Sequence, residues 1–280
     1  MNLWRKLEVW RVLSALKKHP VSFSSRKVVR QLACIRYLTS VEKAHLRILT
    51  SVLLKQKVFV GEQGLKLTDE IKLIIATQAC VPILKLGLNF YSGFTQVNIY
   101  PTAFWVERDE RDEVGVVHHK KALLSGESWS HGPVILSWDD IEQDMQQDHE
   151  GHNVIIHEFA HKIDMLNQSA NGIPPIPASS TKEWSEVFQH AYRHLIERMQ
   201  HHHKPCINAY GATSPAEFFA VVSEYFFTAP QHLNQHYHQV YNELKLFYRQ
   251  NPARRITKAA KIKNQNPYVT LRYEAADLQR

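Results

Sequence analysis

Cysteine is scarce in this sequence, and the three present, Cys34, Cys80 and Cys206, stand far apart. An odd number with no C-x-x-C pair argues against a disulfide framework and points to reduced thiols in a cytoplasmic protein. Long apolar runs are missing too. No stretch approaches the roughly 18 residues needed to cross a bilayer, so no membrane association is expected. The opening segment, "MNLWRKLEVWRVLSALKKHP", has its apolar positions interrupted by Arg5, Lys6, Glu8 and Arg11. That spacing suits an amphipathic helix and not the unbroken core of a secretory leader. Internal repeats and low-complexity linkers are also absent, so one main domain with helical additions is expected.

Acid is short only at the two ends. Residues 1–30 hold eight Lys/Arg against one acid, and residues 251–280 hold seven against two. The stretch between them holds 19 against 24, so the formal charge of +7 belongs to the termini and the body is acidic. Basic ends can hold nucleic acid or an acidic partner. No helix-turn-helix or zinc-finger spacing accompanies them, and solvated faces are the simpler reading. Direct nucleic-acid binding is not expected.

What is present divides into blocks. Residues 3–18 and 40–55 have helical apolar spacing. "LTDEIKLIIATQACVPIL" predicts a helix beginning at Thr68, with acids in its first turn, and ending before Pro82. "GFTQVNIYPTAFWVERDERDEVGVV" is rich in β-branched and aromatic residues and reads as strands broken by Pro101 and an acidic turn. "GPVILSW" is a further strand, "DDIEQDMQQD" a helix, and helices dominate from about 150 to 250. "NQSANGIPPIPASS" (167–180), with three prolines, is the clearest loop. Strands in one block and helices in another predict an α+β fold.

The chemistry concentrates in "NVIIHEFAHKIDML", Asn153–Leu166. On a helix, residues four apart lie about 40° apart around the axis and about 6 Å along it, so His157 and His161 can share one ion. Glu158 is rotated roughly 100° from His157 and can face the attacking water without being a ligand. This is the H-E-x-x-H arrangement, in which two neutral imidazoles hold zinc and the glutamate takes the water's proton. In a chain with 17 histidines the five-residue pattern arises by chance about once in fifteen such sequences, so it stands only with a third ligand. The extended form is excluded, because Asp164 and Asn167 occupy the positions where it needs Gly and His.

That third ligand must come from another element. In "INAYGATSPAEFFAVVSEYFFTAP", Ser214 is a good N-cap, Pro215 fits the first helical position and Pro230 follows the far end. Glu217 and Glu224 lie two turns apart on one face of this helix, and either could reach a metal. Glu217 could instead close a capping box with Ser214, and Glu224 could be a solvated or salt-bridged acid. Asp164 is placed to orient a ligand imidazole or to pair at the helix surface. The "HHHK" run at 201–204 reads as polar surface.

"HEFAH" followed by "AYGATSPAEFFAVVSEYFF" resembles the Mlc titration factor A family of zinc peptidases. "LTDEIKLIIATQACVPILKLGLNFY" and "SGESWSHGPVILSW" extend the likeness over most of residues 60–230. A more distant similarity is to the catalytic domain of anthrax lethal factor, through "HEF-x-H" and "YG…AEFFA". The resemblance implies a zincin-like metallopeptidase domain; with a helical N-terminal layer it is expected to span residues 1–250, and the basic stretch 251–280 reads as a mobile tail. It implies one Zn²⁺ per chain held by His157, His161 and Glu217, with Glu158 as general base and Tyr210 as donor to the oxyanion. Glu217 is favoured over Glu224 because it opens the "EFFA" element, and replacing Glu224 is then expected to leave the metal bound. His118, in the "VVH" element, would reach the metal in some states; an exposed turn histidine is the alternative. The resemblance further implies aminopeptidase-like hydrolysis of peptide substrates in the cytoplasm, and association with a glucose-responsive transcriptional repressor. A protein that mainly sequesters this regulator, with a latent peptidase site, is the alternative. A peptide would pair along a strand edge, expected at Val134–Trp138.

Overall fold

Two structural signals in the sequence, β-branched strands and capped helices, build different layers of one α+β fold. The computed structural model describes residues 32–102, 104–111, 117–124, 132–146 and 151–265. The expected helix at 3–18 and the end of the basic tail lie outside these residues. Three short strands, β1 (Val58–Gly61), β2 (Gln96–Tyr100) and β5 (Val134–Ser137), form a parallel sheet in the order β1-β2-β5. Val58 pairs with Gln96, and Val97 with Val134. Strands β3 (Phe104–Arg111) and β4 (Val117–Leu124) form a separate antiparallel pair, with Phe104 opposite Leu124. Among the described residues β5 is an edge strand, where the sequence reading puts it.

Nine helices longer than a single 3₁₀ turn are described. These are α1 (Ser40–Gln56), α2 (Asp69–Ala79), α3 (Trp138–Gln146), α4 (Val154–Asp164), α5 (Ala178–Gln200), α6 (Pro215–Thr228), α7 (Pro230–His236), α8 (His238–Tyr248) and α9 (Pro252–Gln265). Their starts follow the local chemistry. Thr68 accepts from the Ile71 N–H ahead of α2, and Thr39 and Glu42 cap α1 reciprocally. These bonds satisfy N–H groups that a helix leaves without partners at its first turn. Helix α5 begins at Ala178, so the proline-rich loop ends three residues sooner than the sequence predicts. Strand β1 was not anticipated. The stretch expected as a tail begins as α9, which Arg255 ties to Glu42 of α1 and to Gln250. No described helix is long and apolar enough to cross a membrane.

Helix α4 runs through the middle of the core, with all eleven of its residues buried. Its Phe159 meets Tyr91 and Phe94 edge-on, with centroids 5.0 and 5.6 Å apart. Burying such a ring is worth about 1.5–3 kcal/mol, and each favourable ring pair adds about 0.5–1.5 kcal/mol. The other broad neighbour of α4 is α6, whose Phe218, Phe219 and Phe226 are fully covered. Trp184 of α5 stacks on Phe188 at 4.1 Å and reaches Phe219. Two helices carrying the sequence's candidate ligands are thus packed against each other inside the apolar centre.

Candidate metal centre

Helix α4 is fixed at its start by side chains from three other helices. Asn153 caps it, its Oδ1 accepting from the Ile156 N–H at 2.9 Å while its Nδ2 donates to Gln78 of α2 at 2.7 Å. The Asn153 backbone N–H donates to Glu224 of α6 at 2.6 Å, and the Val154 N–H to Asp144 of α3 at 2.8 Å. Acceptors at a helix N-terminus satisfy its free N–H groups and suit the positive end of its dipole. Asp144 also contacts His152, which raises the His152 imidazole to about 9 despite partial burial.

Glycines on either side of α4 let α6 approach closely. Gly151 has φ of +101°, and a Cβ there would sit 2.3 Å from the Tyr225 ring; its N–H donates to Thr228. Gly172 has φ of +75°, and a Cβ would sit 2.5 Å from the Pro215 carbonyl oxygen. Side chains are strained at such φ values and blocked at such distances. Gly172 also receives a bond from Trp184 Nε1 and donates its own N–H to Asp164 at 2.8 Å. The proline-rich loop therefore joins the end of α4 to the first turn of α6.

Between these two anchor points, His157, His161 and Glu217 come together. His157 Nε2 is 2.9 Å from Glu217 Oε2, and His161 Nε2 lies 3.2 Å from both of those atoms. Three ligand atoms on a tetrahedral zinc, with bonds of about 2.0–2.1 Å, stand about 3.3 Å apart. The donor set, spacing and partial burial all fit a small divalent cation. Among the described residues this is the only cluster of three or more His, Cys, Asp or Glu that meets the geometry of a metal site. Burial opposes charge on both sides of the contact, but the partners outweigh it. Glu217 is held down to about 2 by His157 and His161, and Glu217 and Glu224 hold the His157 imidazole well above its usual value.

Glu217 does not close the capping box that its spacing allows. Ser214 accepts from the Glu217 N–H at 3.1 Å, but the carboxylate turns to the histidines. Glu224 lies outside the cluster and touches His157 from behind, Oε1 to Nδ1 at 2.7 Å. Asp164 makes no hydrogen bond to His161, though the two interact electrostatically: its bonded oxygen serves Gly172, and Asp164 Oδ1 and His161 Nδ1 are both buried without a hydrogen bond. Burial lifts the Asp164 carboxyl to about 6.

Glu158, on α4 beside His157, is buried and near enough to Lys162 and Tyr210 to act on both electrostatically. Tyr210 sits on the short turn Ala209–Ala212, with its ring 5.9 Å from that of His157 and half its surface exposed. Partial burial and the two carboxylates raise its phenol to about 12, so it is a hydrogen-bond donor at neutral pH. His118 stands on β4 opposite Glu110; the position of its side chain lies outside the described residues. Sequence reasoning missed the contacts of Asn153, Glu224, Gly151 and Gly172. Only Asn153 carried a local signal, as an N-cap residue type directly before an apolar run.

This arrangement has relatives of known family. The proteins named Mlc titration factor A of Salmonella arizonae and Yersinia pestis are 40% and 38% identical to it. The first alignment runs over 222 residues, 78% of this chain and 88% of the relative, and the second over 233 residues, 82% and 86%. Residues 4–249 match the family described as glucose-regulated metallo-peptidase M90. With that match covering most of its length and a His-His-Glu centre on the helix pair where metal ligands are expected, the chain belongs to the glucose-regulated metallo-peptidase M90 family.

Proposed function

We propose that this protein is a zinc-dependent, aminopeptidase-like peptidase of the cytoplasm. The observation that carries the reading is the convergence of His157 Nε2, His161 Nε2 and Glu217 Oε2 within 2.9–3.2 Å of one another. Those three side chains would hold one Zn²⁺. When bound, the ion supplies a Lewis acid that polarises the scissile carbonyl and acidifies water. Glu158 takes the proton from the attacking water at its carboxylate and passes it to the leaving amine. Tyr210 donates its phenolic O–H in a hydrogen bond to the developing oxyanion, and its raised pKa keeps that proton in place at neutral pH. An extended peptide pairs along the edge strand β5. Residues 1–250 act as the peptidase domain, and a reducing compartment suits three free thiols.

The test is metal content of the purified protein together with turnover on a peptide panel before and after chelation. Zinc near one per chain and chelator-sensitive hydrolysis support the reading; hydrolysis indifferent to chelation overturns it. A second reading has its own support in the relatives' name, Mlc titration factor A, which describes titration of Mlc. On that reading the chain binds a glucose-responsive transcriptional repressor and its peptidase site is secondary. Tight repressor binding with no turnover on any peptide would favour it.

A further inference from the structure

We infer that Glu224 is a positioning residue that sets the tautomer of His157, and thereby the affinity of the centre for metal. This rests on the reading of His157, His161 and Glu217 as ligands. Glu224 and Glu217 share one helix, two turns apart, and their carboxylates meet opposite edges of one imidazole. Glu217 approaches Nε2 and Glu224 approaches Nδ1. The Glu224 side chain is almost wholly buried, and both of its oxygens are used: Oε1 on His157 Nδ1 at 2.7 Å, Oε2 on the Asn153 N–H at 2.6 Å.

An ionised carboxylate only accepts hydrogen bonds, so the Nδ1 that faces it carries the hydrogen. In a neutral imidazole the lone pair then lies on Nε2, aimed at the point where His161 and Glu217 also converge. The opposite tautomer would aim an N–H at that point, where no metal could accept it. A carboxylate behind a ligand imidazole also makes the ring a better donor to the ion. Glu224 is itself held in place. The N–H that it accepts belongs to Asn153, whose side chain is locked by Ile156 on one side and Gln78 on the other. The start of the ligand helix and the orientation of its first ligand are thus fixed through the same carboxylate. On this inference Glu224 is no ligand, as the sequence reading has it, but its replacement weakens the hold on the metal.

Glu224→Gln isolates the effect because it keeps size and shape. An amide has one acceptor end and one donor end, and Glu224 faces two N–H groups. If the amide nitrogen turns to His157, the ring takes the wrong tautomer; if it turns to Asn153, two donors meet at the helix cap. Zinc affinity is measured by chelator competition on the full chain, wild type and Glu224→Gln, with thermal melts of the metal-free forms. Ring ¹⁵N spectra of zinc-loaded wild type report which nitrogen of His157 carries the proton. The expected result is zinc binding weakened about 10–100-fold in a folded variant, with Nδ1 protonated and Nε2 on the metal in the wild type. Affinity within about twofold of wild type overturns the inference, as does a spectrum with the metal on Nδ1. Should the variant fail to fold, the wild-type spectrum decides alone. A wild type that binds no zinc overturns the ligand reading itself and the inference with it, and shows this before any variant is made.

Discussion

Two helices of this protein begin with the same instruction and obey it differently. At the start of α1, Thr39 and Glu42 form a complete capping box: Thr39 Oγ1 accepts from the Glu42 N–H, and the Glu42 carboxylate accepts from the Thr39 N–H at 2.9 Å. At the start of α6, Ser214 and Glu217 have the same spacing, and half the box forms. The other half is given up, because the Glu217 carboxylate points to His157 and His161 on α4. A residue pattern that stabilises a helix in one place is taken over in another by a site that needs a carboxylate across an interface. The departure from local consistency marks the site.

This contrast can be broken or sharpened by substitution. The largest effect is expected where the diverted geometry serves chemistry. Glu158→Gln should lower peptide turnover by about 10²–10⁴-fold while zinc content and fold stay as in wild type, read from metal analysis and steady-state kinetics on one preparation. Equal turnover with zinc intact would remove Glu158 as the base. Next comes the junction that brings α6 to α4. Gly172→Ala should cost about 2–3 kcal/mol by denaturant unfolding, because it adds a clash with Pro215 to the cost of its positive φ. Gly64→Ala, at φ of +83° with nothing within 4 Å, should cost only about 1 kcal/mol. Similar costs at the two glycines would mean that Pro215 yields easily and the junction is not tight.

The complete box gives a smaller, purely structural effect. Glu42→Ala should cost about 1–2 kcal/mol of stability, because it removes the reciprocal cap and also the pair with Arg255 of α9, and leave zinc affinity unchanged; a change in affinity would mean that the two helix starts are not independent. The smallest effect is expected at the third helix start, that of α4. His152 is raised from 6.5 to about 9 chiefly by Asp144, so its contribution is fully present below pH 6.5 and is lost as pH rises through about 9. The pair is half exposed on the histidine side, which keeps the effect below about 1 kcal/mol. His152→Ala should therefore match wild type above pH 9 and be less stable near pH 6. A constant difference across that range would show that the pair does not titrate with folding.

Legibility in the sequence followed the range of the interactions involved. Helix starts at Thr68 and Ser214 were readable because a cap is settled within four residues. Strand β1 was not, since four residues directly after a long helix become a strand only by pairing with β2. The two histidines and Glu158 sit on one helix, and their spacing alone raised the metal hypothesis. The residue pattern could not choose between Glu217 and Glu224, which share a face of α6; the register of α6 against α4 assigns them different edges of His157. That register depends on Gly151 and Gly172 meeting Tyr225 and Pro215, contacts between segments 43 and more residues apart, and no local pattern encodes them.

The central claim is that Glu217 leaves its capping box to complete a metal centre. Zinc per chain, measured after dialysis on wild type, Glu42→Ala and Glu217→Ala, tests it most directly. The two glutamates occupy the same position in the same helix-start pattern, so the comparison isolates the diverted carboxylate. The account predicts zinc near one per chain in wild type and Glu42→Ala, and less than about a tenth of that in folded Glu217→Ala, which keeps only two of the ligands such sites need. Full zinc in Glu217→Ala, or equal loss in both variants, would contradict it.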